Sequence, residues 1–85
     1  MLEKTIKILN PHGIHPKNAT ILVQTANKFV SNIWISKDEK KVNAKSLMGV
    51  MSLAIPQGAD IVVLAEGKDE DMAVNTIAEL VSASE

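Results

Sequence analysis

The sequence predicts a compact α+β sandwich of two layers, in which a four-stranded sheet of antiparallel-compatible strands carries the helices on one face, in the order β-α-β-β-α-β-α. Three observations carry this. Short runs that alternate apolar and polar residues are interspersed with stretches of helical period. The turn residues Asn, Pro and Gly fall between them rather than inside them. The chain also has 85 residues and no cysteine. A single unit, residues 1–85, must then fold on packing alone, which favours regular elements and short loops packed in two layers.

The first strand occupies residues 2–9, with Leu2, Ile6 and Ile8 on one face and Glu3, Thr5 and Lys7 opposite. Asn10-Pro11-His12-Gly13 is turn chemistry, Pro fixing one φ and Gly freeing another. From Pro16 the period becomes helical: Ala19, Leu22, Val23, Ala26 and Val30 form the stripe. Pro16 suits the first turn because its missing N–H has no partner there anyway, and His15 falls at or beside the N-cap. Asn32–Ser36 is a second strand, Ile33 and Ile35 facing away from Trp34; Lys37-Asp38-Glu39-Lys40 connects it tightly to a short strand around Lys41-Val42-Asn43. Ser46 can cap a short helix over Leu47–Leu53, which Pro56-Gln57-Gly58 breaks. Asp60–Glu66, rich in branched residues, is the fourth strand and ends at Gly67. Asp69 offers an N-cap, Glu70 and Asp71 complement the first turn, and Ala73, Val74, Ile77, Leu80 and Val81 form the stripe of a last helix.

Composition narrows the function classes. Without cysteine there is no disulfide framework, thiolate chemistry or cysteine-ligated zinc. The longest apolar run, Ile61–Ala65, is far below the roughly 20 residues that cross a bilayer. Residues 1–4 lead into alternation rather than a secretory segment, so the expectation is a cytoplasmic protein without membrane insertion. Net charge is −1, yet residues 1–45 hold eight lysines against three acids and residues 46–85 one lysine against seven acids. All nine basic residues are lysine, so any anion site relies on point charges, backbone N–H groups or histidine rather than a guanidinium fork. Lys37, Lys40, Lys41 and Lys45 read as a solvated rim. With only Phe29 and Trp34 as stacking partners, direct nucleic-acid binding is not expected.

The chemistry-bearing residues are few. His12 and His15 flank Gly13-Ile14, and neither cysteine nor a neighbouring carboxylate completes a metal set, so no metal and no cofactor are expected. A histidine at a helix start faces free N–H groups and the positive end of the helix dipole, where an anion is attracted. A phosphoryl group on His15 would be held there by the remaining amides and Lys17. The plainer reading is a surface histidine with no task. Ser46 likewise reads either as an ordinary N-cap or as a phosphosite, where added negative charge at a helix start is stabilising. Leu47, Val50, Met51 and Ala54 share one helical face, which leaves Met48 exposed, and methionines suit an adaptable docking patch.

Gly13-Ile14-His15 opening a helix, Leu22-Val23-Gln24-Thr25-Ala26, the run Val42-Asn43-Ala44-Lys45-Ser46-Leu47-Met48-Gly49-Val50-Met51-Ser52-Leu53, and the last strand and helix joined at Gly67 together resemble HPr. HPr is the histidine-containing phosphocarrier of the bacterial sugar phosphotransferase system. The resemblance spans essentially the whole chain and is strongest to the Gram-positive branch. It implies the open-faced β-sandwich, with a four-stranded antiparallel sheet of order 1-4-2-3 and three helices on one face, and a relay: a phosphoryl group taken from the phosphoenolpyruvate-dependent first enzyme onto a ring nitrogen of His15, then passed to sugar-specific transport components. It implies regulatory phosphorylation of Ser46 by an ATP-dependent serine kinase/phosphorylase. It further implies docking on a catabolite-control transcription regulator through Leu47, Met48 and Met51. The run Pro16-Lys17-Asn18-Ala19 departs from the family's usual small or polar residue, Arg, Pro, Ala. Lys17 keeps the charge without the two-pronged contact, Pro16 removes one N–H, and Asn18 supplies side-chain donors that proline lacks. Losing one oriented donor costs on the order of a few kcal/mol at a transition state. The leading expectation is therefore a stoichiometric carrier rather than an enzyme. The alternative is a regulatory module acting through Ser46 with little carrier activity; a paralogue serving a dedicated transporter or metabolic kinase is a third possibility.

Overall fold

The residues with the densest branched side chains form the most enclosed strand. In the computed structural model, which describes residues 1–82, this strand is β4 (Asp60–Glu66), with Ile61, Val63 and Ala65 buried and Val62 and Leu64 half-buried. On one side it pairs antiparallel with β1 (Leu2–Lys7), on the other with β2 (Asn32–Lys37), and β2 pairs with β3 (Lys40–Asn43), giving the order β1-β4-β2-β3. The register puts Ile6 opposite Ile61, Ile35 opposite Val63 and Ile33 opposite Ala65. One face of the sheet is thus a continuous aliphatic layer. The three helices α1 (Pro16–Ala26), α2 (Leu47–Ser52) and α3 (Glu70–Ser82) cover it, burying Leu22, Val50, Val74 and Ile77. Each such residue contributes about 1.5–3 kcal/mol relative to an exposed one. Ala19, Ala26 and Ala73 are fully buried and let helix and sheet backbones approach closely. The opposite face stays open. There Trp34 lies half-buried, with the Lys41 ammonium 5.0 Å from its ring centre.

Several elements differ from the expectation for local reasons. The first strand ends at Lys7, not residue 9: Ile8 is buried but its N–H donates to the Ala59 carbonyl, outside the ladder, and Leu9 is exposed. As an edge strand, β1 buries less than its alternation implies; Leu2 is exposed and Ile6 only half-buried. Helix α1 stops at Ala26, because the Asn27 side-chain amide donates to the Val23 carbonyl (2.8 Å) and the next amides form tight turns. Val30 consequently leaves the helical stripe and is 75% exposed. The β2–β3 connection is a two-residue hairpin in which Asp38 and Glu39 both have positive φ (50° and 70°), as a type I′ turn requires. The lysine rim is not simply solvated. Lys40 donates to the Ser52 carbonyl, Lys45 to the Phe29 carbonyl, Lys37 pairs with Asp38, and Lys41 covers Trp34.

Asp69 departs from the side-chain cap that its place before the last helix predicts. Its carbonyl does accept from the Ala73 N–H, but its carboxylate reaches across the fold to the N–H groups of Val30 and Ser31 (3.0 Å each) and to the Ser31 hydroxyl. The hydroxyl lowers the Asp69 pKa most; desolvation opposes it, and the two amides add to it. A carboxylate whose folded pKa is depressed stabilises the fold above its ordinary pKa, near 4, and loses that contribution as pH falls through the lower folded value. Asp69→Asn is expected to be less stable than the parent at pH 7. The gap should close as pH drops below about 4. Urea unfolding between neutral and strongly acidic pH checks it; a gap of constant size would contradict the assignment.

Candidate functional site

A loop that must pass close to another backbone needs a residue without a side chain, and Gly13 is that residue. Its φ is +65°, and a Cβ there would fall inside contact distance of the Ile55 carbonyl oxygen and 2.8 Å from Pro56 Cα. Asn10, buried, sets the turn before it: its side-chain Oδ1 accepts from the His12 N–H (2.9 Å) and its carbonyl from the Gly13 N–H (2.9 Å). The Ile14 N–H then donates to the Ile55 carbonyl (3.0 Å). Ile55 lies just past α2, where Ala54 adopts φ +48° to turn the chain back. These contacts fix the loop that delivers His15.

His15 occupies the N-cap position of α1 with extended backbone (φ −89°, ψ 173°). Its carbonyl accepts from the Ala19 N–H, but its imidazole makes no capping hydrogen bond. The ring is half-buried, and the exposed His12 ring stands edge-on to it, centroids 6.2 Å apart at 74°. Pro16 is the first helical residue. Among the described residues nothing accepts from the N–H groups of Lys17 or Asn18, so the helix opens with two free amides. Its first turn has no acidic residue, unlike that of α3, which carries Glu70 and Asp71. Lys17 is exposed; Asn18 is half-buried and lines a cavity with Asn10, Ile14, Ile21 and Leu80. An uncapped imidazole, two open amides and an unneutralised dipole end meet here, an arrangement suited to a covalently held anion. Among the described residues there is no cluster of three potential metal ligands.

Ser46 is the N-cap of α2, its Oγ accepting from the Gly49 N–H at 3.1 Å, a contact worth about 1 kcal/mol. The neighbouring Lys45 ammonium is held by the Phe29 carbonyl at 2.8 Å. The apolar side chains of α2 divide differently from the sequence expectation. Val50 (2% exposed) and Leu53 face the core, while Leu47 and Met51 join Met48 outside, at 42%, 38% and 85% exposure. Ala54, placed on the same face as Val50 by the helical wheel, lies beyond the helix and is exposed. The structure thus brings Lys17 and Asn18 together with His15 on α1. Ser46 and the exposed patch lie on α2, whose exit segment closes the His15 loop. The sequence reading places Asn10 in the turn but not its side chain as the group that holds the loop, and it misses the Ile55–Pro56 segment. An Asn two residues before His12 signals an Asx-turn, whereas the approach of residues 55–56 is non-local and leaves no sequence signal.

A family model described as the PTS HPr component phosphorylation site matches residues 2–83. The HPr-like protein Crh of Halalkalibacterium halodurans is 47% identical over 77 residues, covering 91% of this chain and 92% of that protein. Among solved structures, HPr from Thermoanaerobacter tengcongensis aligns at TM-score 0.91 with 51% identity, covering 95% of this chain and 91% of its own. The phosphocarrier protein HPr from Bacillus anthracis aligns at TM-score 0.91 with 41% identity, covering 94% and 95%.

Proposed function

The chain belongs to the HPr family, and on that premise we propose that it carries a phosphoryl group on His15 between the first enzyme of the phosphotransferase system and sugar-specific transport components. The observation that carries this reading is the His15 imidazole at the start of α1, with no capping bond of its own and two free amides behind it. A ring-nitrogen lone pair forms the N–P bond as the bond from phosphorus to the donor's leaving atom breaks, its electron pair staying with the donor. The Lys17 and Asn18 amides, the Lys17 ammonium and the Asn18 side-chain amide offset the phosphoryl charge. Transfer onward is the same displacement in reverse. His15 is regenerated, so the protein is a carrier and not a catalyst. No helix among the described residues is long and apolar enough to cross a membrane.

A second reading is favoured by the exposed apolar patch on α2 and by the similarity to an HPr-like Crh. In it a serine kinase/phosphorylase modifies Ser46. The modified form docks on a catabolite-control transcription regulator through Leu47, Met48 and Met51, with little carriage through His15. A phosphoryl group on Ser46 would sit at the amide end of α2, where negative charge is stabilising.

Intact mass after two incubations separates the readings. Phosphoenolpyruvate with a Gram-positive first enzyme is expected to add one phosphoryl group that acid removes. ATP with the serine kinase should add one that acid leaves in place. An unmodified chain in the first incubation defeats the carrier reading; an unmodified chain in the second defeats the regulatory one.

A further inference from the structure

A phosphoryl group held at the start of a helix is stabilised further by each side-chain donor that reaches its oxygens, and arginine, whose planar fork suits that task, is absent from this chain. His12 is placed for it. The ring is exposed and edge-on to His15, centroids 6.2 Å apart. Its position does not depend on the imidazole itself, because the Asn10 carboxamide holds the backbone N–H of His12 and not its side chain. Among the described residues no hydrogen bond or ion pair engages the His12 ring, so it is unencumbered as a donor. We propose that His12 is a second phosphate-stabilising residue, whose ring N–H donates a hydrogen bond to the phosphoryl oxygens carried by His15. The proposal rests on the carrier reading of His15 and adds a residue to it.

With ring centroids 6.2 Å apart, a phosphoryl group carried by His15 comes within reach of the His12 side chain. Rotation about the two side-chain torsions of His12 then turns an N–H toward it. His12 exchanges no atom with the group: the N–P bond forms and breaks at His15 alone, and His12 only offsets charge.

The test compares the parent with His12→Ala and His12→Lys. The readouts are the equilibrium position of phosphoryl transfer with the first enzyme and the half-life of the phosphohistidine. His12→Ala should shift the equilibrium away from the phosphorylated form by about threefold to tenfold, the scale of one charge-assisted hydrogen bond at an exposed site. His12→Lys, which also donates to phosphoryl oxygens, should restore the parent value. Identical equilibria and half-lives for parent and His12→Ala overturn the proposal, as does a loss that His12→Lys fails to rescue. Should the first enzyme transfer nothing even to the parent, the carrier reading has failed by itself. Phosphoramidate, with a His15→Ala control, then loads the ring chemically so that the half-life comparison still decides on His12.

Discussion

Replacing His15 with alanine should abolish the acid-labile phosphate entirely while leaving the fold close to the parent in stability. The two outcomes follow from one geometric fact. The His15 side chain is at the N-cap of α1 but makes no capping bond there, so its removal deprives no helix amide of a partner. Its backbone carbonyl, which accepts from the Ala19 N–H, is untouched. Surface substitutions without such a role change stability by about 0.5 kcal/mol or less, and a half-buried ring adds modestly to that. The expected functional loss, by contrast, has no graded component, because the nitrogen proposed to form the bond to phosphorus is gone. Intact mass after incubation with phosphoenolpyruvate and the first enzyme reads the first outcome, and urea unfolding the second. Persistence of label in His15→Ala would move the acceptor to His12, the only other histidine. Loss of label together with unfolding would mean that the ring acts structurally and would leave the phosphoryl assignment unsupported.

Sequence specifies most where structure is local. The branched run of β4, the helical stripe of α3 and, as far as Ala26, that of α1 appear where their periods place them, since one strand or helix presents its own face whatever surrounds it. The Asp38-Glu39 turn is legible as a hairpin although it lacks Asn-Gly, because the flanking strands and the two-residue length suffice. What stays hidden is what other segments decide. The shallow burial of β1 follows from its edge position, a property of strand order rather than of residues 2–7. The carboxylate of Asp69 leaves its own helix because Val30 and Ser31 arrive from elsewhere with two free amides and a hydroxyl.

The candidate site shows the same division. That His15 opens a helix, with Lys17 and Asn18 on its first turn and Ser46 capping the next, is readable from Pro16 and from the polar residue before Leu47. The outward turn of Leu47 and Met51 is not. A helix of six residues makes fewer than two turns, so its stripe fixes which side chains are neighbours but not which neighbours meet the sheet. Here the choice falls on Val50 with Leu53, and the patch implied by the family resemblance is exposed as a whole.

Gly13→Ala should be the most damaging single-methyl change near the site, lowering stability by about 3 kcal/mol and phosphoryl loading along with it. Two costs combine. The residue has φ +65°, a left-handed conformation that costs an L-residue roughly 1–2 kcal/mol. The new Cβ would also press on the Ile55 carbonyl oxygen and on Pro56 Cα, both backbone atoms that cannot rotate away as the end of a side chain can. Relief requires the loop to separate from the 55–56 segment, which breaks the bond from the Ile14 N–H to the Ile55 carbonyl and displaces His15, its neighbour in sequence. Gly58→Ala provides the matched control. Gly58 also has positive φ (+89°), but nothing lies within 4 Å of where a Cβ would stand, so only the left-handed cost of roughly 1–2 kcal/mol applies and His15 is undisturbed. In urea, where small proteins lose about 1–3 kcal/mol per molar, the Gly13 variant should unfold at a midpoint roughly 1–3 M lower, and the Gly58 variant at a clearly smaller shift. Equal shifts for the two would mean that the left-handed backbone alone accounts for the glycine, and that contact with residues 55–56 does not hold the His15 loop in place.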